Sequence, residues 1–105
     1  MTYLKVRWLH SDPTYPIWLY SELDQERWEV RKVEVFANGE KGFASDAESF
    51  HRTELGSVPT PSPAEISADA EFQLTEISQE EFEVAWAARH TATDDLRLTE
   101  PDKER

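Results

Sequence analysis

The sequence contains no cysteine and only three glycines. The absence of cysteine excludes disulfide bonds, thiolate catalysis and thiolate zinc sites, and it suits a reducing compartment. Three scattered glycines cannot build a glycine-rich phosphate loop, and no GxSxG serine-nucleophile motif occurs. The sequence therefore predicts neither a phosphate-loop enzyme nor a serine hydrolase of that class.

Long apolar runs are also missing. No stretch approaches the roughly 20 apolar residues of a membrane span, and residues 1–7 lack the apolar segment of a signal peptide. We therefore expect a cytoplasmic protein that is neither secreted nor inserted into a membrane.

Basic residues are scarce relative to acidic ones, with 11 Lys and Arg against 22 Asp and Glu and a net charge of −11. Affinity for nucleic acid comes from Lys and Arg displacing counterions from phosphates, so this balance disfavours nucleic acid and favours a basic partner. Residues 1–45 carry six basic and seven acidic side chains, whereas 71–105 carry four and ten. An acidic docking face is thus expected in the C-terminal half.

The 105 residues, 11% of them aromatic, are enough for one domain with its own core. We expect a single α+β domain over residues 1–90. Residues 91–105 have no aromatic side chain and many charges, and this composition predicts a disordered tail.

Period-2 alternation and β-favouring residues predict four strands, at 3–8, 17–22, 27–37 and 40–44. In the third, the apolar positions change parity around Arg31-Lys32, which predicts a bulge there. Asn38-Gly39 predicts a hairpin with a type I′ turn. Short connections favour an antiparallel meander sheet of about four strands packed by one C-terminal helix, plus a short helix.

Two helix starts are marked by capping residues. Ser62 and Glu65 flank Pro63 in a capping-box layout, which predicts one or two helical turns. Ser78 and Glu81 form a second capping box, so the main helix is expected to begin at Gln79, with Phe82 and Trp86 facing the sheet. Residues 45–61 are predicted to be a long irregular connection, with one short strand near 53–55.

Charged side chains of both signs follow one another from Glu22 to Glu34. Paired carboxylates can perform acid/base chemistry if their surroundings separate their pKa values. The interpretation we favour is a ladder of ion pairs along one sheet face, because Arg27, Glu29 and Arg31 share parity. Within this run Glu22, Arg27, Glu29 and Arg31 are the candidate binding residues, and no catalytic residue is assigned.

The three histidines, His10, His51 and His90, have no metal-ligand spacing, so neither a metal nor a cofactor is predicted. Aromatic residues in the strands can form an exposed platform for bases or sugars, but packing within the sheet is favoured. These residues are Trp8, Trp18, Tyr20 and Trp28.

Residues 20–39, YSELDQERWEVRKVEVFANG, follow the pattern YSELDxxRxExRKVEVFxxG. With residues 55–61, the Glu65-Ile66 helix start and residues 77–86, they resemble a small bacterial domain family of unknown function. The resemblance implies one domain and a bacterial source. It carries no established activity and therefore transfers no functional residue.

We expect a protein-binding module, of the immunity or antitoxin type, that covers a basic partner with an acidic face. Its surface is expected to comprise the helix-side acids Glu76, Glu80, Glu81 and Glu83, together with Asp46 and Glu48. The alternative is a small-molecule-binding domain or uncharacterised enzyme with a pocket between the sheet and the 45–61 connection. Its polar groups would be Arg7, Glu22, Arg27, Glu29 and Arg31.

Overall fold

A computed structural model describes residues 1–90. One antiparallel sheet and two helices follow in the order β1 (Thr2–Trp8), β2 (Trp18–Leu23), β3 (Glu29–Val35), β4 (Lys41–Ala44), β5 (Ser49–Phe50), α1 (Pro63–Ser67), β6 (Phe72–Ile77) and α2 (Gln79–Ala87). The predicted α+β class with an antiparallel sheet is confirmed. The predicted number of about four strands is wrong, because the sheet has six. The predicted disordered tail, 91–105, lies outside the described residues.

The strand order is β5-β4-β3-β2-β1-β6, so the first five strands form a meander and the sixth returns to pair with β1. The β1–β6 register runs from Tyr3 opposite Ile77 to Trp8 opposite Phe72. Strand β6 was not predicted, although Phe72 and Leu74 alternate with polar neighbours as in a half-buried strand. This strand forms one edge of the sheet.

The alternation predicted for β1 separates the two faces of the sheet. Tyr3 and Lys5 lie on the face covered by α2, here called the helix face, where the Tyr3 ring is 5.5 Å from that of Phe82. Leu4 and Val6 are buried on the opposite face, here called the loop face because the connection after β5 contacts it. The sheet is therefore covered on both sides.

The bulge in β3 lies one residue before the predicted position. The β2–β3 register changes from Glu22 opposite Arg31 to Leu23 opposite Glu29, which leaves Val30 as the extra residue. Arg31 therefore lies on the helix face and Glu29 on the loop face. The ladder predicted along a single face is wrong, because the bulge changes the parity of the charged residues.

The hairpin predicted at Asn38-Gly39 joins β3 to β4, but its turn is not type I′. Gly39 has a φ of 91°, whereas Asn38 is not among the residues with positive φ. The Gly39 N–H donates to the Phe36 oxygen at 2.9 Å, and the Phe36 N–H donates to the Glu40 oxygen at 2.9 Å. These bonds are those of a type I turn followed by a glycine bulge.

The 45–61 connection contains the short strand β5 at Ser49–Phe50 rather than near 53–55. A tight turn follows, in which His51 and Arg52 have φ values of 60° and 63° and the Thr53 N–H donates to the Phe50 oxygen. Thr53 is 2% exposed, and its hydroxyl donates to Glu34 Oε1 at 2.8 Å. The connection is thus fastened to the loop face.

Both helices begin where the capping residues predict. In α1, Ser62 Oγ accepts from the Glu65 N–H and Glu65 Oε1 accepts from the Ser62 N–H, which completes the predicted capping box. In α2, Ser78 Oγ accepts from the Glu81 N–H at 3.1 Å. The predicted return bond from Glu81 is not formed, and its carboxylate lies 4.0 Å from Lys5 Nζ.

Phe82 is the main anchor of α2 against the sheet. It is fully buried, and its ring stacks at 6.5 Å on that of Trp86, which meets Phe43 edge to face at 6.0 Å. The predicted orientation of Phe82 and Trp86 towards the sheet is confirmed. Neither α1 nor α2 is long and apolar enough to cross a membrane.

Candidate functional site

Arg31 is the centre of a group of charged side chains between the sheet and α2. Its Nε and Nη2 donate to the two Glu22 carboxylate oxygens at 2.6 and 3.0 Å, so the pair is bidentate. Its Nη1 and Nη2 also donate to the Glu83 carboxylate at 3.2 and 2.7 Å. Strands β2 and β3 and helix α2 thus supply one residue each to what we call the Arg31 cluster.

Aromatic rings cover the guanidinium of this cluster. Arg31 Cζ lies 5.0 Å from the centre of the Phe82 ring and 5.1 Å from that of Trp86. Glu22 is only 5% exposed, whereas the Glu83 side chain is 43% exposed. The cluster therefore fixes α2 on the sheet through charge-assisted hydrogen bonds and cation–π contacts.

The electrostatics of the cluster favour ionised carboxylates. Hydrogen bonds from Arg31 hold the pKa of Glu22 below its usual range even though burial opposes the shift. The same donor lowers the pKa of Glu83, and the two carboxylates raise the pKa of Arg31. A general acid at neutral pH needs a raised carboxyl pKa, and the shifts here have the opposite sign.

The other two candidate residues of the charged run contact the 45–61 connection. Arg27 Nε donates to the Thr60 oxygen at 3.0 Å, and its Nη2 donates to the Pro61 oxygen at 2.7 Å. Glu29 accepts from Lys32 Nζ at 3.1 Å and from the Gly56 N–H. These contacts hold the connection against β3.

The charged residues of the run do not share one concavity. Arg7, Glu22 and Arg31 lie on the helix face, whereas Glu29 lies on the loop face and Arg27 contacts the connection. A pocket between the sheet and the connection would need all five on one side. The bulge at Val30 places Glu29 on the opposite face from Arg31. A bulge predicted one residue later in the sequence does not reveal this separation.

The predicted acidic face is likewise divided. Among residues 1–90, Glu76 and Glu80 are exposed and form no ion pair, while Glu83 is engaged by Arg31. Asp46 and Glu48 lie between β4 and β5, at the edge of the sheet opposite β6. Within residues 1–90, the acids beside the β6–α2 junction that form no ion pair are therefore Glu80 and Glu76, and Glu76 lies on the loop face opposite Leu4. The Glu81 carboxylate lies 4.0 Å from Lys5 Nζ on the helix face.

The outer edge of β6 adjoins these acids. The sequence pattern does not predict this edge, because β6 is not among the four predicted strands. The Leu9 N–H donates to the Glu71 oxygen at 2.7 Å, and bonded and non-bonded pairs alternate along an antiparallel ladder. Gln73 and Thr75 therefore direct their backbone groups towards β1, whereas Leu74 and Glu76 direct theirs outwards. Within the described part of the chain no strand pairs with this edge.

The histidines are dispersed. His10 binds the Pro16 oxygen at 2.8 Å, His51 lies 3.6 Å from Glu40, and the His90 ring meets Phe43 at 4.9 Å. Residues 1–90 contain no group of three or more His, Cys, Asp or Glu side chains placed to hold a metal ion.

Comparison with known proteins identifies a family. No curated protein and no solved structure matches the chain. The model of the family described as Domain of unknown function (DUF6881) matches residues 2–91, which confirms the predicted resemblance to a family of unknown function, and the chain therefore belongs to this family.

Proposed function

We propose that the chain is a protein-binding module that engages a basic partner, in the manner of an immunity or antitoxin-type inhibitor acting in the cytoplasm. The observation that carries the proposal is the open edge of β6 beside the acids of the β6–α2 junction. An extended segment of the partner adds to the sheet there, and its Lys and Arg side chains meet Glu76 and Glu80.

Backbone pairing supplies the affinity in this mode of binding, and side chains supply the selectivity. Strand β6 has six residues and contains neither proline nor lysine, the residues that commonly protect an edge strand from pairing. Among residues 1–90, no backbone group pairs with the outward N–H and C=O groups of Leu74 and Glu76. An incoming strand can pair with these groups where it passes beside α1, which packs against β6.

Charge favours a basic partner over a second copy of the chain. Two chains of net charge −11 repel each other, whereas a basic protein is attracted and steered to the surface. The other charged candidates are already occupied, since Arg31 binds Glu22 and Glu83 and Arg27 binds two carbonyl oxygens. The likeness to small bacterial inhibitors is an analogy of fold and size only.

The first experiment is affinity purification of the tagged protein from its source lysate at about 50 and 200 mM salt, a range over which screening of exposed charges increases. Mass spectrometry then identifies the proteins that co-elute. A stoichiometric basic partner that dissociates at the higher salt is expected. Recovery of no partner at either salt concentration contradicts the proposal.

Variants then locate the interface. Leu74→Pro removes an outward N–H without touching the β1 ladder, and proline is tolerated at such an edge position. We expect this variant and Glu76→Lys each to weaken binding at least about tenfold. Glu26→Lys makes the same charge change in the exposed turn after β2 and is the matched control. If all three variants bound the partner as tightly as the parent protein does, the interface would lie elsewhere.

A further inference from the structure

A groove of about 550 Å³ opens between α2 and the sheet on the helix face. Its volume is within the range of small-molecule sites, which are mostly apolar with a few polar groups. Most of its lining is aliphatic or aromatic, and the side chains that matter here are Trp18, Tyr20, Val33, Val35, Val84 and Ala85. Val84 is 70% exposed although it borders this apolar surface.

The groove exists because α2 covers only part of the helix face. Its anchor Phe82 lies over Tyr3 and Arg31, whereas Trp18 and Val35 pair with each other in a row farther along the strands. Helix α2 ends at Ala87, and the large side chains of that row are only half-buried at the border of the helix. Their apolar surfaces form the floor of the groove.

Of the three cations near this floor, Lys41 lines the groove, whereas Lys5 and Arg7 contact the Trp18 ring from β1. Lys5 Nζ lies 4.8 Å from the centre of the Trp18 ring, and Arg7 Cζ lies 5.2 Å from the same ring. Lys41 lines the groove from β4, and its Nζ donates to the Ala88 oxygen at 3.1 Å. Glu81 is the carboxylate that lines the groove, and it lies 4.0 Å from Lys5.

The ammonium group of Lys41 is only partly used. Lys41 offers two further N–H donors beyond its bond to Ala88.

We propose that this groove binds a small apolar carboxylate, with its hydrocarbon part on the Trp18 and Val35 floor and its carboxylate on the Lys41 ammonium group. Apolar burial supplies most of the affinity, and Lys41 selects the sign of the head group. The groove lies on a different surface from the open edge of β6. The inference therefore goes beyond the proposed partner binding and does not depend on it.

Decanoate and decylammonium are matched probes, because they share a tail and differ in the sign of the head group. Each is titrated into the 15N-labelled protein, and the backbone amide shifts are followed. We expect saturable shifts with decanoate at the groove-lining segments 33–37 and 84–88, and weaker or no saturation with decylammonium. The net charge of −11 favours the cation in bulk, so a preference for the anion must arise locally.

Variants separate the tail and head contributions. Lys41→Met should weaken decanoate binding by about tenfold. Arg52→Met removes the same charge at the exposed turn beyond β5 and should leave the affinity unchanged. Ala85→Phe fills the groove from the half-exposed helix surface and should abolish binding, with the amide spectrum confirming that the chain is folded.

Three results would overturn the proposal. The first is the absence of groove shifts at millimolar decanoate. The second is equal binding of the two probes, which would reduce the site to unselective hydrophobic contact. The third is a set of groove shifts that depends on protein concentration without ligand, which would assign the surface to a second copy of the chain.

Discussion

Gly42 and Thr53 lie so close together that a Cβ on Gly42 would overlap Thr53 Oγ1. Gly42 belongs to β4, whereas Thr53 belongs to the connection that crosses the loop face. The absence of a side chain on Gly42 lets Thr53 reach Glu34 with its hydroxyl. This contact decides where the connection lies on the sheet.

Gly42→Ala should therefore destabilise the protein by about 2 kcal/mol, because the added methyl group forces a buried contact apart. Urea unfolding monitored by tryptophan fluorescence measures the change. Thr53→Ala should cost about 1 to 2 kcal/mol by leaving Glu34 without its donor.

The double variant tests whether the two residues interact. Thr53→Ala removes the atom that the new methyl group meets, so the double variant should be more stable than the two single effects predict by at least about 1 kcal/mol. The Phe50 oxygen and Thr53 Cβ, each 3.2 Å from the added carbon, limit the relief. Additive single effects would show that the overlap is resolved elsewhere.

Acid should weaken the protein partly through Glu22. Its pKa is held below the ordinary value of 4.5 by Arg31, so between the folded and unfolded pKa values the unfolded chain binds more protons. The stabilisation by Glu22 is therefore complete above about pH 4.5 and is lost as the pH falls through the folded pKa. Glu22→Gln should cost about 1 to 2 kcal/mol at pH 7, and progressively less below pH 4.

Urea unfolding at a series of pH values from about 7 to 3 measures this dependence. Glu26→Gln, which removes the same charge in an exposed turn, is the control and should follow the parent. Arg31→Met should cost more, about 3 kcal/mol, because it leaves the 5% exposed Glu22 carboxylate unpaired. A constant difference between Glu22→Gln and the parent at every pH would contradict the assignment.

Local signals in the sequence were enough to predict many elements of this fold. The Ser62 and Ser78 caps, the Asn38-Gly39 hairpin and the alternation in β1 each depend on neighbours within a few residues, and each is present. The type I′ turn was wrong because turn type depends on how the flanking strands pair. One glycine with positive φ is enough in a turn with a glycine bulge.

Which face of the sheet each charged side chain lies on depends on the pairing between distant strands, and no local sequence pattern shows this pairing. A bulge at Val30 rather than at Arg31-Lys32 is a difference of one residue, but it moves Glu29 to the opposite face from Arg31. Strand β6 was missed for a related reason: its short apolar and polar alternation lies between two helix caps and pairs with a strand about 70 positions earlier in the chain. Both the Arg31 cluster and the open edge follow from such long-range pairing.

The turn at His51 and Arg52 should be a site where stability can be gained. Both residues have φ near +60°, a conformation in which a Cβ is unfavourable by roughly 1 to 2 kcal/mol. Arg52 is exposed, so Arg52→Gly should stabilise the protein by about 1 kcal/mol as measured by urea unfolding. Arg52→Ala removes the same side chain but keeps the Cβ, and it should give no gain.

Arg27 provides the opposite case at a similar φ of 68°. Its guanidinium donates to the Thr60 and Pro61 oxygens, so Arg27→Gly relieves the backbone but loses two charge-assisted hydrogen bonds. Because each such bond stabilises by about 1.5 kcal/mol or more, Arg27→Gly should be destabilising where Arg52→Gly is stabilising. If Arg27→Gly also stabilised the protein, relief of the backbone would outweigh the lost bonds, and the hydrogen bonds of Arg27 would not be what holds residues 60–61 against the sheet.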